Sequence, residues 1–86
     1  GIDDAATAGY VQVYPNPATT YLDIAVVAGI GLEYYSLTDA GGRLMLYGPL
    51  APHHGKVSLQ SVPAGIYQLR IHTDKGILRR KVVVIR

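Results

Sequence analysis

The sequence predicts an all-β domain, an Ig-like β-sandwich of about seven antiparallel strands. Apolar and polar residues alternate at a period of two, short turns rich in Gly and Pro separate these runs, and no stretch has a capped helical period. The predicted strands cover residues 11–14, 20–27, 33–38, 43–48, 56–60, 65–72 and 77–85. The chain has no Cys and no Trp, so it lacks the Ig hallmarks that would fix the topology.

Composition limits the class of protein. With 86 residues, 49% hydrophobic and 16% charged, the chain suits one small folded domain and is too apolar for a disordered tail. Its seven Tyr, with no Phe, suit half-buried sheet surfaces. A net charge of +2 is small for a nucleic-acid binder, and the lack of Cys excludes disulfides and thiolate metal sites.

The chain is expected to divide into a linker or frayed segment at residues 1–10 and one domain at residues 11–86. No apolar run approaches the roughly 20 residues that span a membrane. The opening GIDDAATAGY does not have the pattern of a signal peptide. If the protein is exported, we expect the export signal to lie upstream of this segment or in the domain itself.

Alternation within the strands predicts which side chains form the core. The residues expected to be mostly buried are Leu22, Ile24, Leu37, Leu44, Leu46, Val57, Leu59, Leu69 and Ile71. Two hairpins are predicted most firmly, one through the loop DAGG and one through TDKG. Gly41, Gly42 and Gly76 can take the positive φ values that tight connections require.

Three segments, taken in order, carry a resemblance to a known family. They are VYPNPATTYLDI at residues 13–24, LTDAGGRLMLY at 37–47 and LQSVPAGIYQLRIHTDKGILRRKVVVI at 59–85. Their order and spacing resemble the type A C-terminal sorting domains of the type IX secretion pathway of Bacteroidetes bacteria. The resemblance covers residues 11–86, nearly the whole chain.

The resemblance implies a secretion signal without catalytic activity. It implies that an outer-membrane translocon recognises the domain, that a surface sortase removes it, and that the upstream cargo of the same chain is often joined to an anionic lipopolysaccharide. The implied route runs from the periplasm to the cell surface or beyond. On this basis, the candidate recognition residues are Pro15, Asn16, Pro17, Gly42, Leu44, Gly65, Tyr67, Arg79, Lys81, Val82, Ile85 and Arg86.

Each candidate also has a structural interpretation. The two prolines around Asn16 predict a stiff, non-pairing bend, which is either a corner of the sandwich or a rigid surface for the translocon. The turn Pro63-Ala64-Gly65 carries the same alternatives. Tyr67 is expected in the core or with its hydroxyl tying down a loop. Arg79 and Lys81 share one face of the last strand, where they either prevent edge pairing or form a docking strip.

A second function class stays open at this stage, whereas metal binding and catalysis are not expected. An Ig-like adhesive or carbohydrate-binding module could use a patch of Tyr34, Tyr35 and Tyr47. His53, His54 and His72 lack a third ligand at useful spacing, so they predict no metal site and no cofactor. No nucleophile motif surrounds Ser36, Ser58 or Ser61, so no catalytic residue is assigned.

Overall fold

The computed structural model describes residues 11–27 and 29–86, and these form seven strands in two sheets. The strands are β1 (Val11–Tyr14), β2 (Tyr21–Val26), β3 (Leu32–Asp39), β4 (Leu44–Pro49), β5 (His54–Ser58), β6 (Gly65–Thr73) and β7 (Gly76–Val84). Every strand pairing is antiparallel. The all-β prediction is confirmed, and the predicted linker at residues 1–10 lies outside the described residues. The described part of the chain contains no helix that could cross a membrane.

The sheets have the strand orders β1-β2-β5 and β4-β3-β6-β7. In the Ig constant-type arrangement the fourth strand belongs to the sheet of the first, second and fifth strands. Here β4 instead pairs with β3, in the sheet of β6 and β7. Sheet edges therefore fall at β1 and β5 on one side of the sandwich and at β4 and β7 on the other.

The core lies between the sheets and follows the predicted alternation in most strands. Seven of the predicted core side chains are at most 1% exposed: Leu22, Ile24, Leu37, Val57, Leu59, Leu69 and Ile71. The last strand adds three more fully buried side chains, Leu78, Val82 and Val84. Because these residues alternate with polar ones, each sheet has one apolar inner face and one solvated outer face.

The prediction of a buried Leu44 is wrong, and Leu46 is only half-buried. Leu44 is 57% exposed, because an irregularity in the β3–β4 pairing places Leu46 opposite Leu37 but Leu44 opposite Thr38. Met45 is the extra residue, so the strand reverses its faces between Leu44 and Leu46. A strict period of two cannot anticipate such a bulge.

The β3–β4 hairpin is closed by one carboxylate and one glycine. Asp39 Oδ1 accepts hydrogen bonds from the N–H groups of Gly41 and Arg43, both at 2.9 Å. Gly42 has a φ of 87°, as the turn requires, while Gly41 does not have a positive φ. In the β6–β7 hairpin, Gly76 has the expected positive φ, of 134°.

Strand β5 begins two residues earlier than predicted. Gly55 pairs with Ile24 in the middle of β2, and a side chain at this position would meet Leu50. Leu59 lies beyond the strand, where its N–H donates to Thr20 O at 2.8 Å and its side chain is fully buried. The predicted strand therefore had the right buried residues but a shifted start.

Candidate recognition surface

The Pro15–Pro17 bend lies along the outer edge of β7. The Asn16 side chain donates to Lys81 O at 2.9 Å and accepts from Val83 N–H at 3.1 Å. One amide therefore imitates the donor and acceptor of a neighbouring strand. The two prolines have no N–H to offer, so this side chain supplies the pairing that they cannot.

Ala18, the residue after the bend, continues this pairing through its backbone. Its N–H donates to Val83 O and its carbonyl accepts from Ile85 N–H, both at 2.8 Å. Ala18 also forms a parallel bridge with Val84 and is completely buried. We call Asn16 and Ala18 together the edge latch, because they cover the final part of the β7 edge.

Arg86, which follows β7, bonds to the loop between β1 and β2 and to the loop between β5 and β6. Its guanidinium donates to Thr19 O and Leu59 O, each at 2.6 Å, and also to Val62 O. A planar guanidinium can serve several carbonyls at once, which an ammonium group does less well. Arg86 therefore links the end of the chain to these two loops.

Three other candidates also face inward or support the turn before β6. Tyr67 is 6% exposed, and its hydroxyl donates to Pro63 O at 2.6 Å, so both structural expectations for Tyr67 are confirmed. Gly65 pairs with Val84, and Val82 is fully buried. These residues therefore have structural roles in the sandwich.

Among the remaining candidates, Leu44, Arg79 and Lys81 share the outer face of the four-stranded sheet. Gly42 lies in the β3–β4 turn, and Ile85 follows β7 and is 48% exposed. Cross-strand register arranges this face in four rows. From β7 towards β4, the rows are Val83–Ile66, Lys81–Gln68–Thr38–Leu44, Arg79–Arg70–Ser36–Tyr47 and Ile77–His72–Tyr34–Pro49. We call this set the basic–aromatic face, because the cations lie towards β7 and the aromatic rings towards β4.

The cationic side of this face borders a groove. Arg79 and Lys81 share the face, as predicted, while Arg80 lies on the opposite face of β7, where it is opposite Leu69 in β6. Together with Gly42 in the β3–β4 turn, Arg79 and Lys81 line a groove of about 490 Å³ whose floor includes Ile66 and Gln68. The groove is open to solvent, so its walls can be reached by a macromolecule.

The aromatic side consists of three rings in contact. Tyr34 stacks on His72 with ring centres 3.9 Å apart and meets Tyr47 at 5.6 Å. Burial lowers the pKa of His72, and the neighbouring Arg70 lowers it further, whereas Glu33 opposes the shift. Tyr47 is 65% exposed and forms the accessible end of the cluster.

Tyr35 does not belong to this patch. It points to the inner face, where its ring lies beside Gly48 and burial raises the pKa of its hydroxyl. The proposed tyrosine patch is therefore formed by Tyr34 and Tyr47, with His72 in place of Tyr35. The period of two in GIYQLRIH already put His72 and Arg70 on one face, which was the available signal for both residues.

The histidines and serines considered for chemistry are dispersed. His54 begins β5, and its Nε2 lies 3.1 Å from Asp23 Oδ1. His53 lies in the preceding loop and His72 in the other sheet. Ser36 lies in β3, Ser58 ends β5 and Ser61 is in the next loop. Among residues 11–27 and 29–86, no group of three His, Asp or Glu side chains is placed to hold a metal ion.

Comparison with known proteins agrees with this architecture. The family model described as a secretion system C-terminal sorting domain matches residues 12–85. A solved chain of PorZ, described as an essential bacterial surface component of the type IX secretion system of Porphyromonas gingivalis, is similar with a TM-score of 0.71 and 26% identity. The similarity covers 95% of this chain and 12% of that chain, and comparison with the curated proteins gives no match.

Proposed function

Because the chain belongs to the family of type IX secretion system C-terminal sorting domains, we propose that the secretion translocon recognises the folded domain on its basic–aromatic face. Domains of this family are sorting signals of exported proteins destined for the cell surface. The choice of this face is supported by where the candidate residues lie in the structure. Asn16, Tyr67 and Arg86 make hydrogen bonds within the domain and Val82 is buried, whereas Leu44, Arg79 and Lys81 share one outer face.

The composition of this face suits a protein partner. Leu44, Tyr47 and Ile66 are each more than half exposed, at 57%, 65% and 55%. Exposed apolar side chains that lie together mark interaction sites, and Tyr and Arg are enriched among the residues that contribute most to protein–protein binding. Four strands and four rows make the face roughly 20 Å long and about 15 Å wide, which is large enough to anchor an interface.

Charge favours a partner with acidic groups at the matching position. Arg70 and Arg79 lie directly opposite each other, and Lys81 lies one row away. Among the described residues of the four rows, none is acidic. A carboxylate of the partner would relieve the repulsion between these cations, in addition to steering the encounter.

The remaining steps of export follow from the family and are part of the same proposal. Residues 11–86 act as the sorting unit and residues 1–10 as the linker to an upstream cargo. The domain has no chemistry of its own; it passes through the periplasm, and a surface sortase removes it after transport. The expected product is a cargo attached at the cell surface without this domain.

The proposal is tested by changing the face while keeping the fold. A reporter placed between a signal peptide and this domain should reach the surface of a bacterium that has the pathway. The double variant Arg79→Gln/Lys81→Gln and the variant Tyr47→Ala should lower surface display at least about fivefold, the scale expected for loss of an interface anchor. Melting temperatures measured on the same variants should stay close to that of the unmodified domain.

Tyr14→Ala is the matched control, since Tyr14 is an exposed tyrosine on the outer face of the other sheet. Its display should equal that of the unmodified domain. Full display of both face variants, with normal melting temperatures, would show that the translocon reads another surface.

A further inference from the structure

The outer face of the three-stranded sheet differs in composition from the basic–aromatic face. Cross-strand register places Gln12, Ala25 and His54 in one row, Tyr14, Asp23 and Lys56 in the next, and Tyr21 with Ser58 in the third. The buried side chains Leu22, Ile24 and Val57 confirm that these rows face solvent. Aliphatic side chains are represented on these rows by Ala25 alone.

Two partly exposed tyrosines lie towards one end of this face, Tyr14 in the edge strand β1 and Tyr21 at the start of β2. Tyr14 is 45% exposed and Tyr21 is 38% exposed. Tyr14 lies opposite Asp23, and Tyr21 lies two residues from Asp23 along β2, so the tyrosines are diagonal neighbours about 7–8 Å apart at the backbone. Such a spacing allows two successive rings of one ligand to pack on two aromatic rings.

The Tyr21 ring is held in place by a cation. Lys56 Nζ lies 4.3 Å from the centre of this ring, a cation–π contact that fixes one side of the groove beside it. This groove has a volume of about 390 Å³ and is lined by Tyr21, Lys56 and three neutral polar residues, Thr20, Ser58 and Gln60. It therefore combines an aromatic wall with several neutral hydrogen-bonding groups.

The charges of this face compensate one another. Asp23 lies 3.1 Å from His54 and is opposite Lys56 in the register. A ligand that carries a net charge would gain little here, whereas neutral hydroxyl groups can both donate to and accept from the carboxylate, amides and hydroxyls present. An oligosaccharide fits these features. The apolar faces of its sugar rings can pack on the aromatic rings, and its hydroxyls can form hydrogen bonds with the polar groups.

We propose that this outer face, around Tyr14, Tyr21 and the groove beside Lys56, binds a neutral oligosaccharide of two or three sugar units. One unit packs on Tyr14 and the next on Tyr21, while Asp23, Ser58 and Gln60 bond the hydroxyls. This binding is independent of recognition by the translocon, because it uses the opposite face of the sandwich.

The test is a titration of the isotope-labelled chain with maltotriose, cellotriose and triacetylchitotriose, followed by amide chemical shifts. At least one of these neutral trisaccharides should cause saturable shifts confined to β1, β2, β5 and the groove. Tyr14→Ala and Tyr21→Ala should each weaken its affinity roughly three- to tenfold, the range for loss of one aromatic contact. Tyr14→Phe and Tyr21→Phe keep the ring and should retain most of the affinity.

Tyr47→Ala, on the opposite face, is the matched control and should bind as well as the unmodified chain. Trigalacturonate, an acidic trisaccharide, should bind more weakly than its neutral counterparts. The proposal is overturned by the absence of saturable shifts with all three neutral sugars, by shifts located on β3, β4, β6 and β7, or by preferential binding of the acidic sugar.

Discussion

The Asn16 side chain stabilises the last strand by replacing a missing neighbour. We expect Asn16→Ala to lower the free energy of unfolding by about 1–2 kcal/mol, since two hydrogen bonds to the β7 edge are lost at a partly hydrated position. Chemical denaturation measures this change. Gln12→Ala is the control, because Gln12 is exposed on β1, and an equal loss in both variants would contradict the role of the latch.

We expect Arg86 to stabilise the domain through the planar geometry of its guanidinium as well as through its charge. Arg86→Gln should destabilise the domain by about 1–3 kcal/mol, because three backbone carbonyls lose a charged donor. Arg86→Lys should recover little of this loss, since an ammonium cannot reproduce the planar fork.

The control for Arg86 is Arg43→Gln. Arg43 makes a surface ion pair with Asp39 at 3.4 Å, and such pairs contribute about 0–1 kcal/mol. Thermal unfolding of the three variants separates the outcomes: a full recovery in Arg86→Lys would show that charge alone is needed.

His72 gives the domain a defined pH dependence. Burial and Arg70 lower the pKa of His72 in the folded state, so the unfolded chain binds the proton more readily. The free energy of unfolding is therefore expected to decrease as pH falls below the ordinary histidine pKa of about 6.5. The decrease ends once the pH passes below the lowered pKa of the folded state.

Unfolding measured between neutral and mildly acidic pH tests this assignment. His72→Phe keeps an aromatic ring against Tyr34 but cannot titrate, so its stability should decrease less over the same range. A pH dependence identical to that of the unmodified chain would assign the effect to other groups.

At the scale of elements, β5 depends on the absence of a side chain at Gly55. A Cβ placed there would collide with Leu50 Cδ2 and would approach two further Leu50 atoms to 3.3 and 3.4 Å. Gly55→Ala should therefore cost about 1–3 kcal/mol, the usual range for overpacking. Calorimetry of Gly55→Ala and of Gly41→Ala provides the comparison, because Gly41 has no contact closer than 3.5 Å. Equal melting temperatures would contradict the close packing of β5.

Elements whose structure depends on local alternation were predictable, and those that depend on a distant partner were not. Leu69 and Ile71 are buried because their strand follows a regular period of two. The exposure of Leu44 follows from a bulge that only the pairing with β3 reveals. The latch joins Asn16 to Val83 across 67 positions of the chain, and no local pattern near Asn16 encodes that contact.

The candidate site shows the same division. The sequence placed Arg79 and Lys81 on one face of β7 correctly, because alternation within a single strand is sufficient for that conclusion. The assembly of that face with Tyr34 and Tyr47 required the order β4-β3-β6-β7. Arg86 was assigned to recognition from the family resemblance, and its bonds to distant backbone carbonyls could not be read from the strand pattern.

At the scale of the whole molecule, the domain is a compact unit with two distinct outer faces. Its radius of gyration of 12.0 Å equals the value of about 12 Å that chain length predicts for a compact domain. Both edges of the four-stranded sheet are protected: the edge latch covers the final part of β7, while β4 has a bulge and Pro49. Recognition through an outer face, rather than by strand addition, agrees with this protection.

The most direct test is the surface display of one reporter in two strains that differ only in the translocon. The reporter is placed between a signal peptide and this domain, and its exposed fraction is measured by digestion of intact cells. The account predicts display in the strain that has the translocon and retention of the reporter in the periplasm of the strain that lacks it. Equal display in the two strains would contradict the assignment of this domain as a type IX sorting signal.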